Sequence, residues 1–182
     1  MSPQSWNLDQ SDGVLTIRTG VEGRAAKTGH RLTIAVNTWH ATVRWSDGEP
    51  TEVTLSAEVD SLEVRGGEGG VTPLTGPEKA LARSNALKVL NSKRFPRIEF
   101  ETSDVEKTSD GYRLAGALKI NGKTRDQVVA LTVQDIDGMW HMSSETVVRH
   151  SDFGLKPCSM LMGSMKVADA VTVAFTAKRN SR

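Results

Sequence analysis

At 182 residues and 19.8 kDa the chain suits one domain, long enough to bury about 70% of its unfolded surface. Its 23 Lys and Arg nearly balance 22 Asp and Glu, and with a net charge of +1 and no basic run to track a phosphate backbone, nucleic acid is excluded as a partner. The single cysteine, Cys158, forms no internal disulfide, "MSPQSWNLDQSDG" lacks the features of a secretory leader, and runs such as "VTVAF" are too short for a bilayer, so a cytoplasmic protein without stable membrane insertion is expected.

Period-two alternation marks the elements from the start. "GVLTIR" reads as a strand. "HRLTIAVNTWHATVRW" first buries Leu32, Ile34 and Val36, then changes phase to Trp39, Ala41, Val43 and Trp45, which requires a bulge or tight bend near Asn37-Thr38. "EVTLSAEV" alternates at 53, 55, 57 and 59, and "SLEV" follows.

"TGPEKALARSNALKVLNSKRFP" breaks the pattern. Pro77 suits a first helical turn, Glu78 complements the helix dipole, and Leu81, Leu87 and Leu90 share a face, so a helical crossover covering one end of the sheet is predicted, ending before Pro96.

Strands resume at "RIEF" and continue into "YRLAGALKINGKTRDQVVALTV", a hairpin about Asn121-Gly122. A two-residue turn sets Leu118 opposite Arg125, Gly116 opposite Gln127 and Leu114 opposite Val129, leaving the apolar stripe thin at its middle. "GMWHMSSETVVRH" and "AVTVAFTA" bring the count to eight or nine short strands, an all-β pattern of barrel or sandwich type.

Several motifs suggest chemistry and fail on spacing or context. "GALKINGKT" ends like a phosphate loop, but five residues separate its glycines where four are required, and it joins two strands where that loop must open a helix. "RGGEGG" has no following Lys-Ser/Thr and reads as a flexible loop. "SDFGLKP" carries a kinase triplet without a catalytic-loop signature, and His150, Ser151 and Asp152 are too close along one strand to form a relay. His30, His40, His141 and His150 fall at no zinc-ligand spacing, and Cys158 follows a proline away from any evident helix N-terminus. Met160, Met162 and Met165 form a short thioether run, read either as ordinary packing or as a plastic apolar mouth.

Small or mildly polar inward positions (Ala57, Gly116, Gln127, Ser144, Thr146) and an aromatic content of only 5% favour a hollow barrel over a solid one. In order along the chain, "VTLSAEVDSLEV", "ALKVLNSKRFPRIEFET", "YRLAGALKINGKTRDQVVALTV" and "SDFGL" resemble the YceI-like family of polyisoprenoid-binding, lipocalin-like proteins. The resemblance covers roughly residues 52 to 175 and is carried most strongly by Phe95-Pro96 leading into Ile98-Glu99-Phe100, then Gly116-x-Leu118-x-Ile120-Asn121-Gly122-x-Thr124. It implies an elongated eight-stranded antiparallel barrel with a short helical crossover, enclosing a tunnel for a long-chain isoprenoid such as a polyprenyl or quinone tail. Asp126 and Gln127 stand where the family more often has Pro and an aliphatic residue, which turns a polar group toward the tunnel.

The expected function is therefore non-enzymatic binding, carriage or storage of such a lipid, with no cofactor and no metal, and with a homodimer left open. The expected lining is Trp39, Leu55, Ala57, Val59, Phe100, Leu114, Leu118, Val129, Trp140, Met142 and Phe153, with Gly116 as the gap in the wall and Gln127 or Arg149 as polar handles. On this reading Gly116→Leu blocks the tunnel without unfolding the protein. The alternatives are a barrel enzyme using interior His and Ser groups, or a solid-core interaction module.

Overall fold

The computed structural model describes residues 4–181. Before the helix come β1 (Gln4–Asp9), β2 (Gly13–Arg18), β3 (Val21–Glu22), β4 (His30–Val36), β5 (Trp39–Ser46), β6 (Glu49–Glu58) and β7 (Leu62–Gly69). The helix α1 (Gly76–Val89) is followed by β8 (Arg97–Lys107), β9 (Gly111–Ile120), β10 (Lys123–Ile136), β11 (Met139–Arg149), β12 (Ser159–Met160), β13 (Met165–Val167) and β14 (Ala170–Asn180).

Eleven of these strands form one antiparallel sheet in the order β1-β5-β6-β8-β9-β10-β11-β14-β2-β4-β7, and β12-β13-β3 form a small second sheet. Three pairs of the eleven are halves of single kinked staves. β1 and β2 run along the same neighbour, with Leu8 opposite Ala41 on β5 and Ile17 opposite Ile34 on β4. β4 passes into β5 at Asn37-Thr38, and β6 passes into β7 through the short turn Val59–Ser61. Eight staves result. Because β4 continues as β5, pairing that leaves β5 through β6, β8, β9, β10, β11, β14 and β2 returns to β4 and closes the wall. This is the lipocalin-like antiparallel barrel that the family resemblance implies, and the kink at Asn37-Thr38 is the bend required by the change of apolar phase.

Three hairpins turn on the pairs Asp47-Gly48, Asn121-Gly122 and Asp137-Gly138, each with both φ values positive, the twist that suits right-handed strands. Elsewhere the wall is irregular at two places. On β8 one extra residue lies between Glu101 and Asp104, opposite Gly116, and the buried Thr102 stabilises this bulge by donating from Oγ1 to the Ala115 carbonyl at 2.7 Å. Between β10 and β11 the ladder stops at Thr132 and Ser143, although both strands run on, to Lys123 and Arg149. The turn His150–Phe153 returns to β10 beyond that point: Arg125 Nε donates to the Asp152 carbonyl at 2.8 Å, and Phe153 packs with Leu118, Ile120, Val148 and Leu155.

The helix starts where the sequence places it. Thr75 caps it by accepting from the Glu78 amide, with Pro77 in the first turn. Arg83 fastens it to the barrel, donating from Nε to the Leu62 carbonyl at 2.7 Å and from Nη2 to that of Asp60 at 2.6 Å. Its packing face is Ala82, Ala86, Leu87 and Leu90. Leu81 departs from the expected face and is 58% exposed, because α1 covers the rim of β7 and only its inner side meets the barrel. Among the described residues no helix is long and apolar enough to cross a membrane.

Candidate ligand-binding cavity

Inward side chains of the staves do not meet across the barrel, and a cavity of about 660 Å³ remains, within the usual range of small-molecule sites. One end is closed by aromatic rings delivered by four different strands. Trp6 lies 4.7 Å from Trp45 and 5.4 Å from Trp140, Trp45 lies 5.3 Å from Trp140, and Tyr112 stacks on Trp140 at 6.1 Å, all between ring centroids. Tyr112 Oη donates to Glu49 at 3.3 Å, and burial, reinforced by the Glu49 charge, pushes the phenol above its ordinary value. The buried indole N–H of Trp45 has no partner among the described residues.

The middle of the cavity is apolar, walled by Leu55, Phe100, Leu114, Leu118, Val129, Leu131 and Met142. Polar side chains gather beside the unpaired part of β10 and β11, where Gln127, Ser144 and Thr146 reach the lining. At the other end the wall is made of three segments and the helix: Val21, Thr28 and His30; Val71, Thr72 and Leu74; Cys158, Met160, Met165 and Lys166; and Glu78 and Leu81 of α1. His30 Nε2 donates to the Thr72 carbonyl at 2.6 Å, and Thr28 Oγ1 to Met165 Sδ at 3.5 Å, which ties the segments together.

Of the side chains singled out in the sequence, Leu55, Ala57, Phe100, Leu114, Leu118, Gln127, Val129, Trp140, Met142, Arg149 and Phe153 line the cavity. Trp39, Val59 and Gly116 do not. Trp39 and Val59, each 2% exposed, are packed into the core beside the kinks of their staves, Trp39 edge-on to Phe175 at 5.4 Å. Gly116 lies instead at an outer depression lined by Glu52, Thr54, Thr102 and Asp126, its inner face covered by the Phe100 ring and the Glu101 carbonyl. Parity puts Gly116 inward correctly; the bulge in the adjacent strand removes the hollow.

Sequence reading missed Trp6 and Trp45 as the end wall, although both sit on alternating stretches, and it missed the helical lining Ala82, Asn85, Ala86 and Val89. The four histidines are dispersed. His30 and His150 reach the lining, His150 with Nδ1 2.8 Å from the Asp169 carbonyl oxygen, whereas His40 is exposed on β5 and His141 lies on β11 opposite Lys178. Among the described residues no three His, Cys, Asp or Glu side chains gather as a metal-ligand set. Nearby, Asp169 accepts from the Ser151 hydroxyl at 2.6 Å and from its amide at 2.8 Å, and these bonds hold its carboxyl below the usual range.

The sequence pattern of the YceI-like domain matches residues 6–178. Among solved structures, BcnA of Burkholderia cenocepacia superposes with a TM-score of 0.65 at 14% identity, covering 91% of this chain and 96% of its own. The YCEI protein of Campylobacter jejuni gives 0.60 at 15% identity, with 82% and 84% covered. A mutant CJ YCEI protein described with a monobromobimane guest gives 0.61 at 14%, with the same coverage. At these identities the likeness establishes the fold alone. No curated protein matches the chain in sequence.

Proposed function

The chain belongs to the YceI-like domain family, and from that premise we propose that it is a non-enzymatic carrier or store for a long apolar lipid of isoprenoid type, held in the barrel cavity. The observation that carries this reading is the cavity itself: about 660 Å³, closed at one end by aromatic rings and lined through its middle almost entirely by hydrocarbon. Such a wall holds a ligand by burial. Each methylene removed from water contributes about 0.8 kcal/mol, so an isoprene unit gives roughly 3 to 4 kcal/mol, against an association cost of about 4 to 15 kcal/mol. Three or more units are needed for tight binding, which favours a polyprenyl or quinone-like tail over a small apolar molecule. Gln127, Ser144 and Thr146 offer hydrogen bonds to an oxygen on that tail or its head.

A solid barrel used only as an interaction module does not fit a cavity of this size, and the dispersed histidines lend an enzymatic reading no specific support. The test is organic extraction and mass spectrometry of the purified protein, followed by titration of delipidated protein with geranylgeraniol. Saturable uptake with a raised melting temperature is expected. An empty barrel with no saturable uptake overturns the proposal.

A further inference from the structure

The mouth of the cavity differs from the rest of the surface in two respects. Of the eight large apolar side chains described as exposed, four gather here: Val71, Leu81 and Met160 line the cavity at this end, and Met162, fully exposed, lies beside Met160 on the same strap, whereas Val14, Val128, Ile136 and Val147 are spread over β2, β10 and β11. Met162 is also held at φ 55°, a left-handed conformation that non-glycine residues rarely adopt, in the turn that carries its side chain outward. The strap is fixed rather than free: Val167 donates its amide to the Cys158 carbonyl, and β13 pairs with β3.

The second respect is charge. The mouth segments 21–31, 70–82 and 156–167 carry six Lys and Arg against two Glu of their own, and with Glu68, which faces Arg31 from β7 at 4.0 Å, the net is +3 in a chain whose total is +1. The two glutamates within the segments are also engaged, Glu22 by Lys166 at 3.8 Å and Glu78 by the Thr75 hydroxyl at 3.0 Å. Arg24, Lys27 and Lys156 have no ion pair among the described residues. Apolar side chains around an opening, backed by unpaired cations, match a lipid surface with negative head groups, into which flexible thioethers can insert.

We propose that the mouth is a docking surface for an anionic phospholipid bilayer, on which the protein rests with Val71, Leu81, Met160 and Met162 in the acyl boundary while its ligand passes between membrane and cavity. This rests on the carrier reading for its purpose, since a hydrophobic tail that never crosses water avoids the cost of exposing each isoprene unit. A protein partner would cap the opening, whereas a fluid monolayer is continuous with what the cavity holds.

The experiment is co-sedimentation of the full chain with vesicles of phosphatidylcholine alone and of phosphatidylcholine mixed with phosphatidylglycerol. Binding to the mixed vesicles only is expected, weakening as salt is raised, with about a fivefold loss for each of Arg24→Gln and Lys27→Gln. Met162→Asp and Val71→Asp, both at exposed positions, are expected to lower binding about tenfold with unchanged melting temperature; Met162→Gln, milder in charge, separates lost insertion from repulsion and is expected to fall between. No sedimentation with mixed vesicles, or wild-type binding by the Asp variants, overturns the proposal. A parallel titration with geranylgeraniol in the absence of vesicles keeps the two readings apart: uptake without vesicle binding overturns docking alone, and vesicle binding without uptake overturns the carrier alone.

Discussion

The carbonyl oxygen of Glu101 stands beside the α-carbon of Gly116, too close to admit a β-carbon there, and the Phe100 ring crowds the same space. The contact is with backbone, in a bulge anchored by Thr102, so it cannot be relieved by turning a side chain. Gly116→Ala is expected to cost about 1 to 3 kcal/mol in urea unfolding, and Gly116→Leu to impair folding rather than plug the cavity. A loss under about 0.5 kcal/mol for the alanine would show that the bulge moves freely.

Where β10 and β11 part beyond Thr132 and Ser143, strand amides lack a ladder partner on that side. Alternate amides of residues 124–131 and 144–148 should exchange with deuterium much faster than those of 132–136 and 139–143, which are paired on the same side. Uniform protection along the whole hairpin would contradict the observed seam.

Arg83 makes two bonds from the helix to the carbonyls of Leu62 and Asp60, joining α1 to the start of β7. Hydrogen bonds from a charged donor contribute more than neutral ones, so Arg83→Ala should destabilise by about 1 to 3 kcal/mol, with a melting temperature about 2 to 4 °C lower per kcal/mol. An unchanged melting curve would mean that the apolar face of Ala82, Ala86, Leu87 and Leu90 holds the helix alone.

Asp169 links the turn that bears Phe153 to the approach of β14, and its bonds from Ser151 depress its folded pKa below the ordinary 3.8. A carboxyl depressed on folding contributes stability above its unfolded pKa and loses it as pH falls through the lower folded value. Asp169→Asn should therefore lower the melting temperature at neutral pH, with the gap to wild type closing as pH drops below 3.8. A gap that stays constant down to acid pH would assign the effect to shape rather than charge.

Much of the architecture is legible in alternation and turns. The kink at Asn37-Thr38 follows from apolar residues exchanging parity, the Asn121-Gly122 turn from its dipeptide, and the helix start from Pro77 and Glu78, all local signals. What escaped is non-local. The bulge opposite Gly116 belongs to β8, so no reading of the hairpin alone could foresee that Phe100 and Glu101 would cover the glycine. Trp39 and Val59 have the correct inward parity, but each adjoins a kink that redirects the stave and buries it in the packed layer. The aromatic end wall gathers Trp6, Trp45, Tyr112 and Trp140 from positions far apart in sequence, and only the closure of the barrel brings them together.

That end wall also gives the protein an optical gauge. Three of its four tryptophans meet within one cluster, remote from the mouth, while the fourth, Trp39, is enclosed against Phe175. Coupled indoles of this kind produce a near-ultraviolet dichroism that depends on their mutual tilt, and their emission responds to what touches them. In a series of isoprenoid alcohols of increasing length, those too short to traverse the barrel should bind without altering that signal. The first alcohol to change it measures, in isoprene units, the depth of the tunnel.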